Sequence, residues 1–370
     1  MKGPPEAADA PRLLIDVDAL AHNWRTVQAT CPQGRIGAVL KNDAYGLGVS
    51  QVTPTLWALG CRDFWVATLD EALALRPHLP AAHARIYVLN GMGGLPARDW
   101  LAEHLIPVLA GPHEIPALVQ SRCTTRLPVA VQLDTGLTRL GFDETALAQL
   151  RSDSALWKHA DLRLWVTHLG RFHDPQTPQC RRQRERFLHW TEALPAADRS
   201  IATSSSVFSG PAWQFEHARV GSALWGIPTN VRVQAPLRPV ACLQAPVLRV
   251  ADIPAGAEVG YAGSYISDRA RRIATVALGY GDGLPFGLVN RGHLMLGDKP
   301  APIVGGVAMG MVALDVSAFA PEEVQVGQWV EVFGRRQPVE ALASAAQVAP
   351  NVLLSLAGRL AHRRRLEALP

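Results

Sequence analysis

Through the first two thirds of this chain, short apolar runs alternate with helix-like stretches, and no other feature of the sequence limits its fold so strongly. Runs over residues 36–40, 64–67, 86–89, 107–109, 129–133, 164–167 and 201–203 are short and mostly apolar, as strands covered on both faces must be. Between them lie segments such as 70–79 and 144–152, rich in Ala, Leu, Glu and Arg. Repeated β–α alternation builds a parallel sheet, and about eight such units in roughly 230 residues fit a closed (β/α)8 barrel better than an open sheet.

After about Gly226 the texture changes to Pro-, Gly- and Val-rich sequence without long helical periods. Residues 227–239 read as a linker, and strand candidates at 245–250, 273–278 and 329–333 follow between Gly and Pro turns. The expected organisation is a barrel domain over 11–235 and a mainly β domain over 236–370, in line with two domains for 370 residues. With 48 % hydrophobic and 18 % charged residues, both halves should be packed structure. A net charge of +4 without long basic blocks speaks against a nucleic-acid partner, and the basic run at 362–365 reads as a solvated terminal turn. No apolar stretch follows Lys2 and no segment approaches the ~20 apolar residues of a spanning helix, so a soluble protein with no membrane partner is expected. Five scattered cysteines, never spaced CxxC, argue against disulfides or a metal site and for the reducing cytoplasm.

Lysine is scarce: Lys2, Lys41, Lys158 and Lys299 are the whole set. Lys41 directly follows the first predicted barrel strand, at the C-terminal mouth where barrel enzymes carry their catalytic groups. Partial desolvation there lowers an amine's pKa and suits it to covalent or proton-transfer chemistry, although taken alone a lysine after a strand is more often an ordinary surface residue. The residues that follow, Lys41-Asn42-Asp43-Ala44-Tyr45-Gly46-Leu47-Gly48, resemble the pyridoxal-phosphate lysine motif of the alanine racemases. Further matches follow in order. They are GCRDFWVATLDEAL at 60–73, DTGLTRLGF at 134–142, Thr167-His168, Ala202-Thr203-Ser204, RVGSALWG at 219–226, Val259-Gly260-Tyr261, GYGDG at 279–283 and residues 304–309. An ordered series of this kind is far more specific than any one of its members.

The resemblance implies roles. Lys41 would hold pyridoxal 5'-phosphate covalently and serve one face of the substrate Cα, and Tyr261 would be the base for the opposite face. Racemisation needs both, because one base alone tends to return the proton to its original side. Arg219 would face the pyridine nitrogen and, as a permanent cation, restrain electron withdrawal into the ring. Ser204, Gly221 and Ser222 would form the phosphate cup, with Tyr45 reaching the same group. His168 would pack beside the ring, Arg139 would lie near the cofactor's phenolic oxygen and the substrate carboxylate, and Met309 would offer its backbone N–H to that carboxylate. The substrate would be a small amino acid, alanine first, in a homodimer whose sites are shared between subunits.

The chain also departs from the family pattern. Gln132 stands where the family usually carries a modified lysine; a neutral amide there could orient Arg139 but not match its charge, leaving room for an anion such as chloride. The family's G-R-V-x-M-D reads Gly305-Gly306-Val307-Ala308-Met309-Gly310, GYGDG is followed by Leu284-Pro285-Phe286 rather than an arginine, and the C-terminal R-V-P-R motif is not visible. These changes imply a wider, less polar entrance, and with it either tolerance for amino acids larger than alanine or a slower alanine racemase. Two other readings stay open on the sequence: a barrel decarboxylase or aldolase using the same cofactor, and a paralogue that binds the cofactor but has lost activity.

Overall fold

The computed structural model describes residues 9–120 and 123–367. They form two compact units, one from Leu20–Ala44 and Val52–Arg238, the other from the residues up to Ala19, Tyr45–Gln51 and Pro239 onward. The chain opens with strand β1 (Arg12–Asp16) and a helix over Val17–Thr30.

Nine strand segments then follow: β2 (Arg35–Val39), β3 (Asp63–Val66), β4 (Arg85–Val88), β5 (Leu105–Leu109), β6 (Leu127–Gln132), β7 (Ala160–Val166), β8 (Asp198–Ser200), β9 (Ala202–Thr203) and β10 (His217–Val220). All their pairings are parallel, in the order β8-β7-β6-β5-β4-β3-β2-β10-β9. Only Ile201 separates β8 from β9. The two are one interrupted strand, so the sheet returns on itself as an eight-stranded barrel. Every residue of β3 and β5 is buried, as the barrel reading of these apolar runs requires.

The helices between strands start where the sequence supplies caps. The Thr68 hydroxyl accepts from Glu71 N to open Leu69–Leu75, and Asp143 caps Glu144–Ser152. Thr177, followed by Pro178 at the first helical position, caps Pro178–Glu192. No helix or strand occurs between β10 and Ala241.

The inner face of the barrel is not aliphatic throughout. Trp65 and Tyr87 stack with ring centroids 4.2 Å apart, and His217 meets both edge-on. Below them Asp63, 2 % exposed, accepts from Arg85 Nε and Nη2. That pairing holds the Asp63 carboxyl well below the usual carboxylate range against its burial. The stack fits because Gly37 has no side chain: a Cβ there would overlap Trp65 Nε1 and come within 2.7 Å of His217 Cε1.

The second unit is β11 (Ala241–Ile253), β12 (Arg271–Val276), β13 (His293–Leu296), β14 (Lys299–Val304), β15 (Val312–Asp315), β16 (Trp329–Phe333) and β17 (His362–Leu366), with β1. Strands β12-β15-β14-β13-β16-β11 form an antiparallel ring closed by β11–β12, and β1 and β17 extend it beyond β11. This unit also carries two helices, Val339–Ala346 and Pro350–Leu360, that the mainly β reading of its sequence did not anticipate. The basic run expected as a solvated terminal turn is instead β17, paired in parallel with β1. Its anchor is Leu366, packed against the buried Leu14 and Cys242. Among the described residues no single helix is long and apolar enough to cross a membrane.

Candidate active site

At the C-terminal end of β2, buried Leu40 continues the ladder by donating its N–H to the Trp65 carbonyl at 2.7 Å, and Lys41 comes next at the open mouth. The chain then turns in the left-handed sense: Asn42, Asp43, Ala44 and Tyr45 all have φ between 53 and 56°. Such a conformation costs about 1–2 kcal/mol per L-residue, so something must hold it. Ala44 is fully buried and its N–H reaches the Leu40 carbonyl at 2.8 Å. The Asn42 N–H donates to Glu71 Oε1 at 2.7 Å. Glu71 Oε2 accepts from Ala67 N at 2.7 Å and from Thr68 N at 3.4 Å, so one carboxylate ties the turn after Lys41 to the end of β3 and to its helix.

Around this amine gather the other predicted barrel residues. Arg219, third in β10 and 4 % exposed, donates Nη1 to the Ser200 carbonyl and hydroxyl and Nη2 to the Thr167 carbonyl at 2.6 Å. Its Nε carries no hydrogen bond among the described residues. Burial, and then the charge of Arg139, push this guanidinium down to about 9. His168 follows Thr167 after β7. Its imidazole is pushed down to about 3 by burial and by the charges of Arg219, Arg139 and Lys41. The Lys41 amine is lowered by burial and by Arg139, with Glu71 opposing. Lys41, Arg219 and His168 are thus held below their usual proton affinity by burial first and by neighbouring positive charge second, surroundings made for an anion.

Ser204 lies just beyond β9. Its Oγ accepts from Gly221 N at 2.9 Å and Ala223 N at 3.2 Å, in the turn that leaves β10, so its own proton remains to donate. Gly221 thus gives its N–H to Ser204 rather than leaving it open. Ser222 is buried in the same turn. The loop bearing Arg139 is shaped by Asp134 Oδ1, which accepts from the N–H groups of Gly136, Leu137 and Thr138. Gly141 in that loop has φ +125°, and a Cβ there would come within 2.8 Å of Asp134 N. Gln132 does not orient Arg139 as expected. Its amide donates to the Leu140 carbonyl at 2.9 Å, which satisfies the polar end of a 6 % exposed side chain. The exposed Arg139 has neither a hydrogen bond nor an ion pair among the described residues.

The remaining predicted residues belong to the second unit. Tyr45 ends the left-handed turn, ahead of Gly46 and Gly48. Tyr261 opens a short 3-10 turn after Gly260 and is 78 % exposed. Met309 is 66 % exposed and its N–H has no partner among the described residues. The turns bearing them are adjacent: a Cβ on Gly260 would meet Gly306 N at 3.3 Å, and a cavity of about 270 Å3 is lined by Tyr261, Gly306, Ala308 and Met311. Gly310, where the family carries an aspartate, stands in open space, with nothing within 4 Å of a Cβ built there. No group of three or more metal-ligating side chains occurs among the described residues.

Sequence reading missed Glu71, Ser200 and Thr167. The Thr68-x-x-Glu71 spacing signals a helix cap, but nothing in it points to Asn42; Thr167 entered only as the first residue of the Thr167-His168 match, with no role of its own, and Ser200 lies outside every match.

Comparison with known proteins agrees with this arrangement along the whole chain. Residues 15–229 match the family model "Alanine racemase, N-terminal domain" and residues 240–365 "Alanine racemase, C-terminal domain". The chain is 35 % identical over 361 residues to alanine racemase of Brucella canis, covering 94 % of this chain and 91 % of that one. To alanine racemase of Acidiphilium cryptum it is 37 % identical over 354 residues, covering 94 % and 97 %. The crystal structure of alanine racemase from Bartonella henselae with covalently bound pyridoxal phosphate superposes with a TM-score of 0.91 at 31 % identity, covering 96 % of this chain and 99 % of that one. A barrel mouth with its lysine, buried arginine and serine in place, joined in sequence to a β unit carrying Tyr261, together with matches over both parts of the chain, makes this protein a member of the alanine racemase family.

Proposed function

We propose that this protein is a pyridoxal-phosphate-dependent alanine racemase that interconverts L- and D-alanine with two bases. The observation that carries the reading is the cationic mouth: burial first, and then the neighbouring positive charges, lower the proton affinity of Lys41, Arg219 and His168 beside Arg139, and Ser204 waits beside them with a free hydroxyl proton. The site fits the cofactor on its own terms. A dianionic phosphate relieves the charge crowding, and Arg219 keeps Nε for a ring acceptor while both terminal nitrogens are tied to backbone and Ser200.

Bound there, pyridoxal phosphate supplies the electron withdrawal that makes the substrate Cα proton acidic. The chain's own residues do the rest. Lys41 Nζ holds the cofactor and, with its lowered pKa, takes or returns the proton on one face. The Tyr261 hydroxyl carries the proton on the other face, and we assign it to a second copy of the chain in a homodimer. Ser204, Ser222 and Tyr45 hold the phosphate end, and Gly221, expected there as well, fixes the Ser204 hydroxyl through its N–H. Arg139 and the free N–H of Met309 orient the substrate carboxylate. His168, neutral at any working pH, packs against the ring without exchanging a proton.

Open space at Gly310, and at Gly306 no contact with a built Cβ closer than Ser264 Oγ at 3.8 Å, support the wider substrate range. The five free thiols suit a reducing compartment, and we place the protein in the cytoplasm. The decarboxylase, aldolase and inactive-paralogue readings have no observation in their favour, since Lys41, Arg219 and Tyr261 are all retained and the matched domains are those of racemases. The test is direct. The purified protein should absorb as a lysine-bound pyridoxal protein and abolish the optical rotation of L-alanine, with slower turnover of larger amino acids. A preparation that stays colourless with added cofactor, or one that leaves L-alanine unchanged, overturns the proposal.

A further inference from the structure

Glu71 stands out among the buried and bridging carboxylates because both of its oxygens are committed next to the one lysine of the barrel mouth. Oε1 accepts from Asn42 N at 2.7 Å, and Oε2 from Ala67 N at 2.7 Å and Thr68 N at 3.4 Å. A helix cap needs only the last of these. The bond to Asn42 spans 29 positions of sequence and lands on the first residue of the left-handed turn, directly after Lys41. We propose that Glu71 is a positioning residue for Lys41: it clamps the strained turn that aims the amine and sets a negative charge beside it.

The clamp addresses a real mechanical need. Four successive L-residues in the left-handed region spring back unless their N–H groups are held. Ala44 N is held by Leu40, and Asn42 N by Glu71. The charge addresses a chemical one. The ionisable groups that act on the amine are Arg139 from the loop after β6, His168 after β7 and Glu71 from the helix after β3. Burial and Arg139 disfavour the ammonium and His168 is neutral, so the Glu71 carboxylate is, among the described residues, the one nearby group that opposes the loss of the proton. A base that must take up and release a proton in each turnover needs a pKa close to the working pH.

This rests on the racemase reading for its purpose, but its test does not. Trace acetylation of the full-length protein, stripped of any cofactor, across pH 6–11, with labelling located by mass spectrometry, reads the protonation midpoint of the free Lys41 amine. Glu71→Gln keeps an acceptor for Asn42 and removes the charge, and should lower the Lys41 midpoint by about one unit, close to a tenfold rise in free amine at a given pH. The labelling of Lys158 should not move. Glu71→Asp keeps the charge and shortens the reach: the midpoint should stay near wild type while hydrogen exchange at the Asn42 and Ala44 amides speeds up. If the Lys41 midpoint is unchanged in Glu71→Gln, the proposal is overturned. If exchange in the turn is unchanged in Glu71→Asp, the clamp is overturned. Should the protein fail to take up pyridoxal phosphate at all, the racemase reading falls while these two measurements still stand or fall by themselves.

Discussion

Protonation of Lys41, His168 and Arg219 at the barrel mouth is opposed first by burial and then by crowding with like charges, and the cost can be measured residue by residue. His168 shows it most simply. Its imidazole is pushed down to about 3, below the ~6.5 of an unfolded histidine. As pH falls through 6.5 the unfolded chain takes up a proton that the folded chain refuses until about 3, so stability is lost progressively across that window. Urea midpoints measured from pH 7 to 4.5 should therefore fall less steeply for His168→Gln than for wild type; parallel slopes would show that the imidazole is not held neutral. The same crowding makes the mouth a phosphate site before any organic cofactor arrives. Stripped of cofactor, the protein should melt at higher temperature in inorganic phosphate than in chloride of equal ionic strength. A ligand at a hundred times its Kd adds about 2.7 kcal/mol, and Ser204→Ala, which removes the hydroxyl donor, should take away most of that gain. Equal shifts in wild type and Ser204→Ala would assign the effect to general ion binding.

Whole elements are held by close approaches that single glycines permit. Strand β2 can line the barrel beside the Trp65, Tyr87 and His217 rings only because Gly37 presents no Cβ to them. Gly37→Ala must displace a rigid stack rather than a flexible side-chain end, and overpacking of this kind costs about 1–3 kcal/mol. The expected result is a lower urea midpoint at unchanged slope, partly restored by Trp65→Phe in the same chain; an unaffected midpoint would mean that the stack has room. The barrel's strands were legible in the sequence where both faces are apolar, as in β3 and β5. They were hidden where the strands are polar: β10 reads His-Ala-Arg-Val, with Arg219 serving the site and His217 set against the Trp65 and Tyr87 rings, and β8 reads Asp-Arg-Ser, with Ser200 accepting from Arg219. β1 and β17 went unread for another reason. Each makes sense only beside the other, some 350 positions apart, and three consecutive arginines look solvated until Leu366 is seen against Leu14 and Cys242. In the site, Lys41 was legible because lysine is rare and follows a strand. Glu71 was legible as a cap but not as a clamp, since hydrogen bonding across 29 positions leaves no local spacing.

For the molecule as a whole, the β unit exposes more large apolar side chains around Tyr261 than an isolated surface accounts for: Tyr261, Ile266, Phe286 and Met309 are each 60 % exposed or more. Exposed apolar groups in such number mark an interaction surface, and a second copy of the chain is the occupant that the homodimer proposed above supplies. In a twofold dimer with shared sites, each site draws Lys41 from one copy and Tyr261 from the other. Lys41→Ala and Tyr261→Phe should each be inactive alone, for different reasons. Unfolded together and refolded, half of the dimers become mixed, and every mixed dimer contains one site with both bases intact, so roughly a quarter of wild-type activity should return. Recovery should follow the mixed dimer across a dilution series and vanish as the copies separate. A mixture that stays inactive while mass measurement shows mixed dimers would place both bases on one chain, and the exposed face around Tyr261 would then have to answer to another partner.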